Sequence, residues 1–391
     1  MKYLLVVGDG MADEPVPSLN GKTPLEAADI RCMDWMAQNG LVGMCSTIPA
    51  GMPPGSDVAN LSLLGFDPAK FYTGRGPLEA ASMGIDLGKD SCAFRCNLVT
   101  IRDGKMADFS AGHISTGEAD LIIRDLNHLL SGGFVHFHTG VSYRHICVIE
   151  GSFQNLSCTP PHDITGREIS GYLPEGEGGS IVLELMERSV DILKKSPVNE
   201  DRIAKGNVPA TRIWLWGQGY RPTLPVFSEK FGVKGSVVTA VDLIRGIGRL
   251  AGLDIIEVEG ATGFVDTNYE GKADAALGSL EEKDFVFIHV EAPDEAGHAG
   301  DADMKIKAIE NFDKRLLKRI MDNIKGDYRV LVMPDHPTPV GIKTHTGSPV
   351  PFILFGKDVK PNDINTYTEA SAGRSAVFVE KGHELIDLLF E

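Results

Sequence analysis

The chain has 391 residues, enough for roughly two or three domains around a sizeable core. Hydrophobic residues at 42%, charged residues at 24% and a mean hydropathy of -0.05 exclude a collagenous, disordered or membrane-embedded chain. Lys+Arg 38 against Asp+Glu 54 leaves a net charge of -16, which repels nucleic acid and anionic membrane surfaces, so neither is an expected partner. An anionic substrate must instead be drawn in by local arginines or bound metal.

The chain opens on a short apolar run, Tyr3 to Val7, stopped by Gly8-Asp9-Gly10 and too short for a signal-peptide core, so a cytoplasmic protein is expected. Thr23-Pro24-Leu25-Glu26 joins a capping box to a proline at the first helical position and predicts a helix running to Asn39-Gly40. Ser56 then stands at the start of an apolar helical pattern, Val58, Leu61, Leu63 and Leu64, where serine is the commonest N-cap.

The middle of the chain has a different texture. Ala93 to Ile101, the turn Arg102-Asp103-Gly104-Lys105, Phe134 to His138 and Tyr143 to Ile149 predict antiparallel strands around a helix from Ser115 to about Leu130. The Gly-rich stretch Pro174 to Gly179 reads as a hinge, after which Ile181 to Lys195 resumes a helical pattern. Further nearly all-apolar runs, Arg212 to Trp216, Ser236 to Ala240, Phe285 to Val290, Tyr328 to Met333 and Pro351 to Phe355, predict buried parallel strands, with a long helix over Asp301 to Ile324. The expected architecture is therefore α/β: a layered-sheet core of 1–88 and 178–391 with a smaller α+β domain, 89–177, inserted into it. The six cysteines form no C-x-x-C pair and read as reduced, packed thiols.

Candidate metal ligands gather at strand ends. Asp9 follows the first strand, Asp294 and His298 follow Phe285 to Val290, Asp335 and His336 follow Tyr328 to Met333, and His345 lies in KTHTG. Taken singly, an Asp-Gly is a turn and a histidine a satisfied polar group. Carboxyl ends of parallel strands share one edge, however, so these residues can converge there. Asp and His without Cys suit Mn²⁺ first, with Zn²⁺ or Mg²⁺ as alternatives, and six such groups suffice for two divalent ions. A serine at a helix N-terminus beside such ions can act as a nucleophile, because backbone N–H groups donate to a phosphoryl oxygen and a nearby metal lowers the hydroxyl pKa.

The segments GDGMADEP, GKTPLEAAD, PPGSDVANLSLLGFDP, FYTGRGPLEA, AFRCNLVT, TGFVDTNYEGKA, APDEAGHAGD, PDHPTPV and KTHTGSPVPFIL, in this order, resemble the archaeal-type cofactor-independent phosphoglycerate mutases of the alkaline phosphatase superfamily. The resemblance spans nearly the whole chain. It implies an alkaline-phosphatase-like core, an inserted substrate-binding domain and interconversion of 3-phosphoglycerate and 2-phosphoglycerate. It also implies Ser56 as the nucleophile that becomes phosphoserine, with Asp9, Ser56, Asp335 and His336 as ligands of one metal and Asp294, His298 and His345 as ligands of the other.

Three features depart from the usual family pattern. Asp108-Phe109-Ser110-Ala111-Gly112-His113 stands where members usually carry DRRAGR, Asn60 stands for a histidine, and Glu291 for a lysine three residues before Asp294. The candidates left to hold a small phosphorylated or hydroxy-acid substrate are Arg75, Arg95, Arg144, Arg167 and Lys234. A branch resembling a proposed homoserine kinase tolerates such changes and is the alternative function. A non-catalytic metal-binding regulator is a third reading, opposed by the intact Ser56 and the full ligand set.

Overall fold

The computed structural model describes all residues, 1–391, as two compact units: Met1–Tyr72 with Thr223–Glu391, and Thr73–Pro222. The first unit is built on an eight-stranded sheet, ordered Phe378–Val379, Leu41–Cys45, Val350–Gly356, Tyr328–Met333, Lys2–Gly8, Phe285–Val290, Gly235–Val238 and Asp254–Ile256. From Tyr328–Met333 to Asp254–Ile256 the neighbours run parallel. The inner strands of this set are buried on both faces, as their continuous apolar runs require, while the edge strand Asp254–Ile256 is partly exposed. Helices including Arg31–Asn39, Tyr269–Glu282 and Ala302–Asn311 pack their apolar residues, among them Met33, Met36, Ala273, Ala276 and Ile309, into one core with Leu4, Val6, Ile288 and Val332.

Val350–Gly356, as apolar as its neighbours, runs antiparallel to both Tyr328–Met333 and Leu41–Cys45. Apolar content reports burial, and strand direction depends on the connection. The capping box at Thr23 and Glu26 forms, but it opens only Pro24–Ala27. A second helix, Arg31–Asn39, starts after a break and has no side-chain cap of its own. Its free amides are met from elsewhere: the Asp313 carboxylate accepts from Cys32 N at 3.1 Å and Met33 N at 2.7 Å. Asp313 lies in a π-helical stretch, Phe312–Leu317, that interrupts the long predicted helix between Ala302–Asn311 and Lys318–Asn323.

The second unit is antiparallel. Ser91–Arg102 pairs with Arg144–Glu150, with Arg212–Tyr220 and, near its end, with Lys105–Asp108, while Val135–Val141 pairs with Arg144–Glu150. Helix Thr116–Leu130, with its Ser115–Glu118 capping box, and helix Gly179–Lys194 bury Ile122, Ile123, Leu126, Val182, Leu185 and Met186 against this sheet. The unit is wider than the expected 89–177. Arg212–Tyr220 hydrogen-bonds along Ser91–Arg102, helix Gly179–Lys194 packs on that strand, and helix Arg75–Ser82 lies against the same sheet. All three therefore belong with the middle of the chain and not with the parallel core. All six cysteines are free, and no helix is long and apolar enough to cross a membrane.

Candidate metal centre and active site

Strand register creates the site. Val7 pairs with His289 on one side and Met333 on the other, so Asp9, Glu291 and Asp335 leave the sheet together at its carboxyl edge. Phe285–Val290 leads into helix Ala292–Ala299, where a proline in the first turn and left-handed Gly300 after the last residue bound two turns. Asp294 and His298, four residues apart, share one face of it. His298 Nε2 lies 3.2 Å from Asp294 Oδ2, His345 Nε2 lies 3.5 Å from Asp294 Oδ1, and the two imidazole nitrogens are 3.0 Å apart.

A second grouping shares Asp294 with Asp9 and His336, all buried. His336 Nε2 lies 3.4 Å from Asp9 Oδ1 and 3.1 Å from Ser56 Oγ. Asp335 Oδ1 accepts from the backbone N–H of Gly10 at 3.0 Å and of His336 at 2.9 Å, while its Oδ2 accepts from the Asn60 amide at 2.8 Å and lies 3.5 Å from His336 Nε2. Asn60 also donates to Ser56 O at 2.8 Å, which ties the serine's helix to the strand end carrying Asp335. Ser56 is the first residue of helix Ser56–Leu63, and Gly55 holds the N-cap position. The serine hydroxyl is therefore directed to His336 and does not cap its own helix.

The charges are arranged for cations. Asp9 is fully buried, its carboxyl is raised well above its ordinary range by burial and by Asp335, Glu291 and Asp294, and its Oδ1 has no hydrogen-bond partner. Burial also raises Glu291, to about 8. Asp294 is pulled the other way: burial raises it, but the hydrogen bonds from His298 and His345 bring it well below the usual carboxylate range. The Asp294 hydrogen bond lifts His298 to about 9, while burial depresses His336. Crowded carboxylates, an unpartnered buried oxygen and two imidazoles turned on one carboxylate, with no thiolate, form a donor set that fits hard divalent ions.

In the second unit, the buried Arg95 donates from Nη1 to Glu79 Oε1 at 3.0 Å, and Arg75 Nε donates to the same oxygen at 2.9 Å. The Arg95 guanidinium lies 4.7 Å from the Trp216 ring centroid. Burial lowers Arg95 to about 10; Glu79 is raised by burial but held down overall by Arg95, Arg75 and Arg144. One carboxylate thus faces three guanidinium charges. Arg167 is exposed and reaches the Tyr172 hydroxyl at 3.3 Å, outside this group. Lys234 is exposed just before Gly235–Val238, at the amino end of that strand and on the edge opposite the metal ligands.

The sequence pattern of the family described as 2,3-bisphosphoglycerate-independent phosphoglycerate mutase matches residues 37–199. A protein of that name from Methanosarcina mazei is 48% identical over 396 residues, covering 100% of both chains. The chain belongs to this family. A second relative of the same name, from Methanosarcina barkeri, is 49% identical over 100% of this chain and 99% of its own. A solved protein from Pyrococcus horikoshii superposes with a TM-score of 0.85 at 31% identity, covering 100% of this chain and 97% of that one. The cofactor-independent phosphoglycerate mutase from Thermoplasma acidophilum gives 0.66 at 27% identity, covering 100% and 99%.

Within this mutase-family chain, all seven metal-ligand candidates, Asp9, Ser56, Asp294, His298, Asp335, His336 and His345, gather in one unit, and Asp294 lies within reach of both groupings. Three further groups were not legible as site residues. Thr338 Oγ1 donates to Asp294 Oδ1 at 2.5 Å, His289 Nε2 lies 2.9 Å from Asp9 Oδ2, and Glu79 gathers the arginines. A signal existed for each of the last two: a lone histidine in an apolar strand, and a glutamate four residues after Arg75.

Proposed function

We propose that the chain is a phosphoglycerate mutase that interconverts 3-phosphoglycerate and 2-phosphoglycerate in the cytoplasm through a phosphoserine at Ser56. The observation that carries this reading is the Ser56 hydroxyl, 3.1 Å from His336 at the start of a helix and beside two adjoining clusters of oxygen and nitrogen donors. Asp294, His298 and His345 would hold one divalent ion, and Asp9, Ser56, Asp335 and His336 the other, with Mn²⁺ the favoured metal for donors without sulfur. When bound, such ions lower the pKa of a hydroxyl and offset phosphoryl charge.

Ser56 Oγ attacks phosphorus in line as the bond to the glycerate oxygen breaks, and that oxygen leaves with a proton as a hydroxyl. The first-turn amides of Ser56–Leu63 offer hydrogen bonds to the phosphoryl oxygens. Glycerate then presents its other hydroxyl, which attacks the phosphoserine and returns Ser56 to its hydroxyl form. Two inversions give net retention at phosphorus. Arg75, Arg95 and Arg144 are the proposed holders of the substrate's anionic groups, with Glu79 fixing Arg75 and Arg95. Arg167 and Lys234 lie outside that group and are not assigned a contact.

The test is Mn²⁺-loaded enzyme with 3-phosphoglycerate, coupled to enolase, beside Ser56→Ala and beside homoserine with phosphoryl donors. Enolase-coupled turnover lost in Ser56→Ala, with melting behaviour retained, is expected. O-phosphohomoserine without an enolase signal would replace this reading with the homoserine kinase one.

A further inference from the structure

We propose that His136 and His138 form a site for a nitrogen-preferring divalent ion of the Zn²⁺, Ni²⁺ or Cu²⁺ class, on the outer strand of the antiparallel sheet in the second unit. The site goes beyond the mutase reading and uses no residue of the Asp294 centre.

Strand Val135–Val141 ends its sheet and pairs only with Arg144–Glu150. Side chains alternate along it: Val135 and Phe137 are buried in the core beneath the helices, so His136 and His138 share the opposite face, the first exposed and the second half-buried. Residues two apart on a strand stand about 6.6–6.8 Å from each other. From that spacing, rotation about χ1 and χ2 brings one nitrogen of each ring to the separation of roughly 3 Å that two donors at about 2.0–2.1 Å from one ion require. The strand fixes the spacing in advance, so the second imidazole binds as the arm of a chelate and not as an independent ligand.

Both rings are uncommitted. Neither imidazole makes a hydrogen bond or an ion pair within the chain. Opposite them on Arg144–Glu150 stand Val148 and Ile146, buried apolar residues that offer no side-chain donor or acceptor to compete for the ring nitrogens. Burial, and after it the neighbouring His136 ring, lower the pKa of His138, so its lone pair is free at neutral pH, as a metal ligand's must be. Two imidazoles suit ions that take nitrogen readily, with water filling the remaining positions, whereas the carboxylate-rich Asp294 centre suits harder ones.

The experiment is retention of the untagged full-length protein on immobilised Ni²⁺, read as the imidazole concentration at elution, with circular dichroism checking the fold of each variant. Wild type should be retained, and His136→Gln and His138→Gln should each elute early. The double variant should go little further than either single one, because a chelate is lost with its first arm. Equilibrium dialysis against Ni²⁺ should show about one equivalent fewer in each single variant than in wild type. His298→Gln probes the other centre and should elute with wild type. An unretained wild type, folded single variants that elute with it, losses that simply add in the double variant, or a loss found in His298→Gln instead would overturn the proposal, and none of these results bears on Ser56. Should one single variant fail to fold, the other decides.

Discussion

The Lys305 ammonium donates to Asp13 Oδ2 at 2.6 Å with both side chains shut away from solvent. The same nitrogen donates to Ala12 O at 3.1 Å and Thr338 O at 2.9 Å. One lysine on helix Ala302–Asn311 therefore pins the loop after Asp9 and the loop after His336, the two segments that carry candidate metal ligands. Its charge is matched by a single carboxylate, and that carboxylate also accepts from Val340 N.

Lys305→Met keeps the side-chain volume but leaves Asp13 buried without its partner. Breaking a buried pair in this way costs about 3–5 kcal/mol. The expected result is a large drop in the urea midpoint, together with weaker Mn²⁺ binding by the fraction still folded. A midpoint equal to wild type would show that the two loops hold their spacing without the lysine.

Gly10 is the second structural requirement of the same corner. Its φ is +58°, and a Cβ there would lie 2.5 Å from both Asp294 Oδ1 and Thr338 Oγ1. Gly10→Ala is therefore strained in the backbone by about 1 kcal/mol or more and must also push Asp294 aside. Metal affinity should fall by more than global stability accounts for, measured by dialysis beside a melting curve. Unaltered manganese binding would mean that Asp294 has room to move without leaving its position.

The strand set and the candidate metal ligands were legible because each rests on a local signal. Continuous apolar runs mark strands buried on both faces, and Asp or His just beyond them marks a carboxyl edge. The i,i+4 spacing of Asp294 and His298 became a shared helix face once Pro293 and Gly300 bounded the helix. What the sequence could not carry were pairings. Val350–Gly356 and the Ile213–Trp216 run of Arg212–Tyr220 are as apolar as their parallel counterparts, and only their hydrogen-bonded neighbours show that the first is antiparallel and the second belongs to the other sheet. For the same reason the second unit extends to Thr73–Pro222, beyond any change in texture. His289 sits inside an apolar strand, and nothing local says that Asp9 lies opposite its ring.

Arg95 offers a test of the anion group in the second unit. Lysine at this position keeps a charge opposite Glu79 but loses the planar fork and the stacking on Trp216. Losing one charge-assisted bond to the substrate, worth about 1.5–3 kcal/mol, should lower kcat/KM by about 10–100-fold, mostly through KM. Wild-type kinetics in a folded Arg95→Lys enzyme would remove this arginine from the substrate contacts.

The last prediction concerns pH. Asp294 raises the His298 imidazole from its ordinary 6.5 to about 9 in the metal-free fold. A folded-state value above the unfolded one means that the protonated ring favours folding: the contribution is complete below pH 6.5 and disappears as pH rises through about 9. A metal ion needs the lone pair that this proton occupies, so binding at Asp294, His298 and His345 must expel it. Mn²⁺ affinity should therefore climb by about tenfold per pH unit across the window below 9 and level off above it, while the metal-free protein loses stability over the same range. His298→Gln removes the titrating group, so its affinity should be lower and its slope shallower. Dialysis at a series of pH values reads both curves, and a wild-type affinity that stays flat between pH 6.5 and 9 would separate His298 from the metal.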